Sequence, residues 1–252
     1  SGTSGELAKD VFFAYRGYRM NYYAVTAMLA RVYCWAGEYG NAYKEAKEVV
    51  DATYSTGSTS TASCFNFSNS LTTNRKDYNS IIMTFFKSTC YEDYLPYMTK
   101  GNDVVLVVNT TNLFGDEAGA DDRNLDLFGD WDGGDIKYSF KYDIKEGTSG
   151  TDMIPAIRLS EMYYIMGEYF AYKDEFSKAG EMLDKVRYAR GISTTNLASS
   201  IGSLEVFHTH LIKEMRREFV GEGQMFFQYK RLDQKPKDNV VFVFDKPNNE
   251  DI

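Results

Sequence analysis

Three glutamates on one predicted helix are the residues best placed to do acid–base chemistry. Glu214, Glu218 and Glu222 recur every four residues, so their carboxylates project from the same helical face. Paired carboxylates serve as general acid and base in glycoside hydrolysis. That reaction needs them on opposite sides of the substrate, however, and these lie one turn apart on a single helix. A glycoside hydrolase using Glu218 and Glu222 is therefore the least favoured hypothesis.

Arginines near these glutamates indicate a structural role instead. Like charges at this spacing repel, so cations must lie among them. Arg217 is within reach of Glu214, and Glu222 needs a cation from elsewhere in the chain. Guanidinium groups keep carboxylates ionised, which opposes proton donation. We expect an ion-pair network between helices, partly shielded from water, and the arginines that could complete it are Arg158, Arg187 and Arg190.

Other catalytic and metal-binding arrangements find little support. His208 and His210 are the only histidines, and at this spacing on a helix they point about 160° apart, too far to share one metal. No G-x-S-x-G motif accompanies them. Cys34, Cys64 and Cys90 are widely spaced and leave one disulfide open without defining a zinc site. The sequence predicts neither catalytic residues nor a cofactor.

A glycine-rich acidic loop invites two interpretations. The segment from Asp130 to Asp135 resembles a calcium loop, but Gly134 and Asp135 occupy the wrong positions for an EF-hand, so only an oxygen site of another geometry stays open. Trp131 in this loop either anchors it to the protein body or presents a flat ring on which a sugar can stack.

The aromatic content favours a ligand-binding surface. Aromatic residues make up 15% of the chain, with 20 tyrosines and 17 phenylalanines. Tyrosine and tryptophan offer flat, amphipathic rings to ligands, and carboxylates and amides accept hydrogen bonds from hydroxyls. The candidate ligand-binding residues combine these two types: Trp131, Tyr138, Tyr94, Tyr97, Asp130, Asp132 and Asn109.

Helical periodicity predicts the scaffold beneath these loops. Residues 21–53 form a helix hairpin that turns at Gly37, and its second helix starts from Asn41 as N-cap. Trp35 is predicted to be core. One apolar stripe is expected to face the core along the first helix, namely Tyr22, Val25, Leu29, Val32, Tyr33 and Ala36.

The hairpin pattern recurs 137 positions later. Tyr39, Ala42, Ala46 and Val49 correspond to Phe176, Ala179, Leu183 and Val186. An aromatic residue after the turn, followed by small and apolar residues at helical spacing, is typical of tetratricopeptide hairpins of about 34 residues.

The rest of the chain divides by composition. Residues 55–150 are a loop-rich insertion with strands at 81–86 and 104–108, and residues 151–232 are the C-terminal helices. The last helical stretch, 204–232, should break at Gly221 and Gly223, and 240–244 reads as a strand. The fold class is mainly α, an α–α superhelix of tetratricopeptide-like hairpins with a large irregular region containing short β-strands.

Charge argues against a nucleic-acid partner, and hydropathy argues against a membrane-spanning segment. A net charge of -8 argues against nucleic acid. No run approaches the roughly 18 apolar residues of a membrane span, and no signal peptide is present.

Taken together, several motifs resemble the C-terminal half of the SusD/RagB family of surface nutrient-binding lipoproteins. They follow the family's order along nearly the whole chain. The matching segments are 19–39, Asp121–Arg123 ("D-x-R"), Arg158–Glu161 ("R-x-x-E"), Leu183–Arg190, Arg216–Gly223 and Asp245–Glu250 ("P-x-x-E").

The resemblance implies a single SusD-like domain over 1–252 whose function is non-catalytic capture of a glycan or other nutrient at the bacterial outer surface. The implied partner is a SusC-like TonB-dependent outer-membrane transporter. The family's lipid-anchored cysteine and first hairpins belong to an N-terminal half that this chain lacks. A protein-interaction scaffold that binds a peptide in the groove between 21–53 and 157–190 is the alternative.

Overall fold

The computed structural model describes residues 16–57, 59–99, 102, 105–131, 133–143 and 152–232, and helices dominate it. The longer helices are α1 (Tyr22–Trp35), α2 (Tyr39–Val50), α3 (Cys90–Met98), α6 (Leu159–Ala171), α7 (Phe176–Ala189), α8 (Leu204–Glu218) and α9 (Met225–Arg231). Two short helices are α4 (Thr110–Phe114) and α5 (Asp122–Leu127). The strands are β1 (Thr53–Ser55), β2 (Thr61–Ser63), β3 (Ile81–Phe86), β4 (Val107–Asn109), β5 (Phe128–Asp130), β6 (Ile136–Ser139) and β7 (Met153–Arg158).

The predicted internal repeat is present and extends to the turns. Helices α1 and α2 form one hairpin, α6 and α7 form the second, and α2 packs on α6. Each turn contains a residue with positive φ, Gly37 at 77° and Asp174 at 58°. The same hydrogen bond closes both turns, Glu38 N to Tyr33 O and Glu175 N to Phe170 O, each 2.9 Å long. The two hairpins therefore share one backbone design.

Small side chains hold the first hairpin together. Ala24, Ala27 and Ala30 of α1 are fully buried, as are Ala42 and Ala46 of α2. Alanines on facing surfaces let two helix axes approach closely, because little side-chain volume separates them. The inner face of α1 is thus the alanine face.

The prediction that the apolar stripe of α1 faces the core is wrong. Val25, Leu29 and Val32 are 45%, 41% and 55% exposed, and Trp35, predicted to be core, is 43% exposed. The stripe follows the large side chains, whereas the close contact with α2 selects the small ones. Asn41 is also not the N-cap of α2: Glu38 takes that position, and the Asn41 side chain donates to Glu38 Oε2 over 2.7 Å.

The C-terminal helices match the prediction closely. α8 ends at Glu218, and Gly221 and Gly223 adopt φ of 73° and 71° before α9 begins at Met225. Phe207, Leu211 and Met215 of α8 are buried against α6 and α7. These contacts form the second half of the helical core.

Short strands and turns fill the predicted insertion. β3 pairs antiparallel with β7, which confirms the strand predicted at 81–86. A separate three-stranded antiparallel sheet has the order β4-β6-β5, where β4 begins at Val107 in the run predicted to be extended. This sheet has a small core of its own, made of Leu71, Val108, Leu113, Phe114, Leu127 and Phe128. The strand predicted at 240–244 and the motif at 245–250 lie outside the described residues.

Within the described ranges, every helix is too short or too polar to cross a bilayer.

Candidate functional site

The three glutamates lie in the protein interior, surrounded by arginine. Glu218, at the end of α8, accepts from Arg190 Nη2 at 2.5 Å and from Arg123 Nη1 at 3.2 Å. Glu222 follows in the turn and accepts from Arg158 Nε at 2.7 Å, with Lys141 Nζ 2.6 Å away. The cations therefore come from α7, α5, β7 and the segment after β6.

Glu214 sits one turn earlier in the same network. Its Oε2 accepts from Arg123 Nη2 at 2.9 Å, and its Oε1 accepts from Arg187 Nη1 at 3.1 Å and Arg217 Nη1 at 3.0 Å. Arg123 also makes a fork to Asp121, with bonds of 2.9 and 2.7 Å. The predicted ion-pair network between helices is present, and it also fastens the loop-rich region to α7 and α8.

The charge state of this network opposes catalysis by Glu218. Burial alone would raise the pKa of Glu218, but the Arg190 and Arg123 guanidinium groups hold that pKa well below its usual range. The pKa of Glu214 is lowered in the same way, against burial, by Arg123, Arg217 and Arg187. A carboxyl with a depressed pKa stays ionised at neutral pH, so neither group is suited to donate a proton.

The candidate ligand-binding residues meet mainly on the three-stranded sheet. The Trp131 and Tyr138 rings lie edge to face with centroids 6.4 Å apart, and both are half-buried. Asp130 precedes Trp131 at the end of β5; its side chain is 74% exposed, with Oδ1 3.9 Å from Lys137 Nζ. Asn109 ends β4, which lies on the other side of the central strand β6, and pairs with Ile136. Strand pairing thus brings together residues that are up to 29 positions apart, since Asn109 and Tyr138 belong to adjacent strands.

The α3 candidates differ from each other. Tyr97 is 43% exposed, and its carbonyl accepts from Leu106 N at 2.8 Å, which places it beside the start of β4. Tyr94 is used for packing: its ring stacks on Tyr142 at 4.1 Å and its hydroxyl donates to Gly221 O at 3.0 Å. Tyr97 is therefore the more accessible of the two rings.

Asn109 and Asp132 are the two polar candidates beside the aromatic ones and Asp130. The Asn109 side chain caps α4 by accepting from Asn112 N at 2.9 Å. Asp132 lies outside the described residues.

Phe140 is a neighbour of this site that the sequence prediction missed. Its ring lies edge to face with Tyr138 at 4.9 Å, and a Cβ added to Gly129 would approach it to 2.3 Å. The guanidinium carbon of Arg75 lies over the Phe140 ring, 5.0 Å from the ring centroid. The sequence contained a signal for Phe140. Side chains alternate between the two faces of an extended chain, so Phe140, two residues after Tyr138, is expected on the same face.

The described residues contain no metal-binding group and no disulfide. No group of three or more histidine, cysteine, aspartate or glutamate side chains in the described ranges is arranged to hold a metal ion. All three cysteines lie within those ranges and are free thiols. The calcium site that the sequence left open includes Asp132, which lies outside them.

Fold and site together define the class of protein: a tetratricopeptide-like helical scaffold, clamped by buried ion pairs to a loop-rich region with an aromatic surface. The model of the SusD family matches residues 15–249. The chain belongs to the SusD family.

Solved structures of the superfamily share this fold. A SusD superfamily protein from Bacteroides thetaiotaomicron VPI-5482 is 23% identical with a TM-score of 0.62, and the match covers 88% of this chain and 53% of that one. A SusD-like carbohydrate binding protein from Bacteroides vulgatus ATCC 8482 is 20% identical with a TM-score of 0.60, covering 86% and 46%. A laminarin binding SusD-like protein is 18% identical with a TM-score of 0.54, covering 84% and 54%.

The chain spans about half the length of these structures. At these identities the similarity establishes the fold. No relative is found among curated proteins.

Proposed function

We propose that this protein captures an oligosaccharide or polysaccharide without cleaving it, and that the ligand lies across the sheet β4-β6-β5 and the adjacent end of α3. The observation that carries the proposal is the Trp131–Tyr138 ring pair beside the exposed Asp130 carboxylate in a SusD-family chain. A sugar ring offers C–H groups to an aromatic face and hydroxyls to acceptors, so this combination suits its chemistry.

The residues of the proposed site have distinct roles. Trp131 follows β5 and Tyr97 lies beside the start of β4, so they provide stacking faces at opposite edges of the sheet. Asp130 and Asp132 accept hydrogen bonds from sugar hydroxyls. Tyr138 supports Trp131 from the central strand, while Asn109 and Tyr94 fix the position of α4 and α3 beneath the ligand.

The proposed function includes a partner and a location. Family membership supports delivery of the glycan to a SusC-like TonB-dependent transporter at the surface of the outer membrane, where a lipid anchor would hold the protein. The buried, ionised state of Glu218 supports a binding role without hydrolysis.

Two tryptophans make a direct test feasible. Trp35 and Trp131 are the only ones in the chain, so a Trp35→Phe variant leaves Trp131 as the sole indole fluorophore. Titration with a panel of neutral polysaccharides, laminarin among them, should change the emission of that variant, and chromatography of the same samples should show no shortened products. Calorimetry on Trp131→Ala should show affinity lower by about tenfold, the size expected for one stacking contact.

The matched control is Trp35→Ala. Trp35 is also partly exposed but lies on α1, away from the sheet, so its loss should leave affinity unchanged. Equal affinity of the Trp131→Ala variant and the parent for every glycan that binds would refute the proposed platform, and new reducing ends would refute the non-catalytic role.

A protein-interaction scaffold is the second candidate, favoured by the exposed Val25, Leu29 and Val32 of α1. Between the hairpins, α2 packs directly on α6, and rings stack across the contact, Tyr39 on Tyr172 at 3.9 Å and Tyr43 on Tyr169 at 4.4 Å. A partner would therefore contact the outer face of α1. Leu29→Glu should abolish such binding and leave glycan affinity intact.

A further inference from the structure

A small cavity lies inside the ion-pair network and has an unbalanced wall. It holds about 10 Å³ for the centre of a water-sized sphere, which is room for one water molecule or one ion of similar size. Its charged lining consists of seven cations and two carboxylates: Arg75, Lys76, Arg123, Lys141, Arg158, Arg190 and Arg217, with Asp77 and Glu218. The counter-charges Asp121, Glu214 and Glu222 do not line it.

Both carboxylates in the wall already have partners. Glu218 accepts three hydrogen bonds from Arg123 and Arg190. Asp77 Oδ1 accepts from Ser68 N at 2.8 Å, and its Oδ2 lies 2.8 Å from Arg190 Nη2 in an ion pair whose geometry does not make a hydrogen bond. The two carboxylates of the wall therefore offer few acceptors to the other positively charged side chains that line the cavity.

Two guanidinium nitrogens in this wall are buried without an acceptor. Arg190 Nη1 and Arg75 Nε make no hydrogen bond, and the Arg190 side chain is only 2% exposed. Arg158 Nη2 lies 2.5 Å from Glu222 Oε1, but the geometry of that approach does not make a hydrogen bond. Buried donors are nearly always satisfied, so unsatisfied ones on three residues that line one cavity call for an occupant that accepts.

Two lysines of the cavity wall have lowered pKa values, mainly because they are buried. Burial lowers the pKa of Lys141, Glu222 opposes that shift and Arg158 adds to it, and the resulting pKa is about 8. Burial also lowers the pKa of Lys76 to about 8. A negative charge in the cavity would relieve both effects.

We propose that this cavity is a binding site for a monatomic anion, chloride in ordinary solution, held by Arg190, Arg75 and Arg158. A cation is disfavoured by the seven positive side chains, and a tetrahedral oxyanion exceeds the available volume. A bound anion satisfies donors that have no protein acceptor. It also joins α7, β7 and the 75–77 segment, so it strengthens the attachment of the loop-rich region to the helices.

Bromide provides the crystallographic probe, because it replaces chloride and scatters anomalously. Crystals of this chain grown with sodium bromide in place of chloride should show an anomalous peak within hydrogen-bond distance of Arg190 Nη1. A peak absent at saturating bromide, with ordinary water density in the cavity, would refute the site.

Solution stability provides the second arm. Binding to the folded state alone raises the unfolding midpoint by mass action, by about 3 to 6 °C for each tenfold rise in chloride above its dissociation constant. Sodium gluconate at equal ionic strength supplies the comparison, since its anion is too large to enter. Equal midpoints in both salts would mean that any bromide peak reflects crystal concentration only, and would overturn the proposal.

Variants separate the site from general electrostatics. Arg75→Gln keeps the size of a polar side chain but removes one charge from the wall, and it should reduce the chloride-dependent rise. Arg31→Gln removes an arginine that is also partly buried, with its side chain 29% exposed against 11% for Arg75, but that does not line the cavity. It should lower stability in both salts and leave the chloride dependence unchanged; loss of that dependence in Arg31→Gln as well would argue against a specific site.

Discussion

Arg31 of the first hairpin and Glu161 of the second form a two-point ion pair across 130 residues of sequence. Arg31 Nε donates to Glu161 Oε1 over 2.6 Å, and Nη2 donates to Oε2 over 2.5 Å. The Glu161 side chain is 2% exposed and that of Arg31 is 29% exposed. Planar, bidentate geometry of this kind fixes relative orientation as well as charge, so the pair sets how the two hairpins meet.

Because Glu161 is more deeply buried than Arg31, the two single mutations should lower the free energy of unfolding by different amounts. Arg31→Met leaves the Glu161 carboxylate buried and unpaired, and should destabilise the fold by about 3 kcal/mol. Glu161→Leu leaves an arginine that can turn toward solvent, and should cost less. The double variant should cost less than the sum of the two. Urea unfolding of all four proteins measures the cycle; additive losses would show that the pair is not coupled.

The depressed pKa values of the buried glutamates predict acid sensitivity. Arg190 and Arg123 hold the pKa of Glu218 well below its usual range despite burial, and Arg187 and Arg217 do the same for Glu117. In the unfolded chain both titrate near a pKa of about 4.3. Their stabilising contribution is therefore complete above that pH and is lost as pH falls through it toward the lower folded values.

Urea midpoints at pH 6, 5, 4 and 3 should fall steeply below about pH 5. Glu117 lies at the rim of the network with its side chain 12% exposed, so Glu117→Gln should still fold. At pH 6 that variant should be less stable than the parent, and its urea midpoint should fall by a smaller amount as the pH is lowered. A pH profile with the parent's steepness would show that Glu117 does not contribute to it.

Sequence patterns predicted the scaffold better than the faces of its helices. Repetition of Ala42 and Ala46 as Ala179 and Leu183 identified the second hairpin, and like-charge spacing identified the ion-pair network. The prediction for α1 was wrong because it followed side-chain size: Val32 and Trp35 have more apolar surface to bury than alanine does. Which face is buried depends on how closely α2 approaches, and that distance is a property of the pair of helices.

The site was harder to predict for a related reason. Trp131 and Tyr138 are separated by seven positions and could be placed on one loop, but their relation to Tyr97 depends on β4 pairing with β6. Long-range strand register leaves no local signal in a run as short as three residues. The cations Arg75, Lys76 and Lys141 were missed because their acids lie on other elements.

Two glycines in helices should respond oppositely to alanine. A Cβ on Gly180 of α7 would lie 2.6 Å from the backbone of Leu197 and Ala198, so Gly180→Ala should destabilise by about 1–3 kcal/mol. A Cβ on Gly40 of α2 would meet nothing within 4 Å, so Gly40→Ala should stabilise by about 0.5 kcal/mol through helix propensity. Thermal unfolding distinguishes the two, and a neutral Gly180→Ala would mean that the 197–198 turn yields easily.

Tyr94 and Tyr97 allow stability and binding to be separated on one helix. Tyr94→Phe removes the hydroxyl that donates to Gly221 O and should cost about 1 kcal/mol of stability while leaving glycan affinity unchanged. Tyr97→Ala removes an exposed ring and should lower affinity severalfold at nearly constant stability. Calorimetric titration and urea unfolding on both variants give the four numbers required. The reverse pattern, with affinity lost in Tyr94→Phe alone, would move the ligand from the open end of α3 toward the turn at Gly221, because that hydroxyl would then be needed by the sugar.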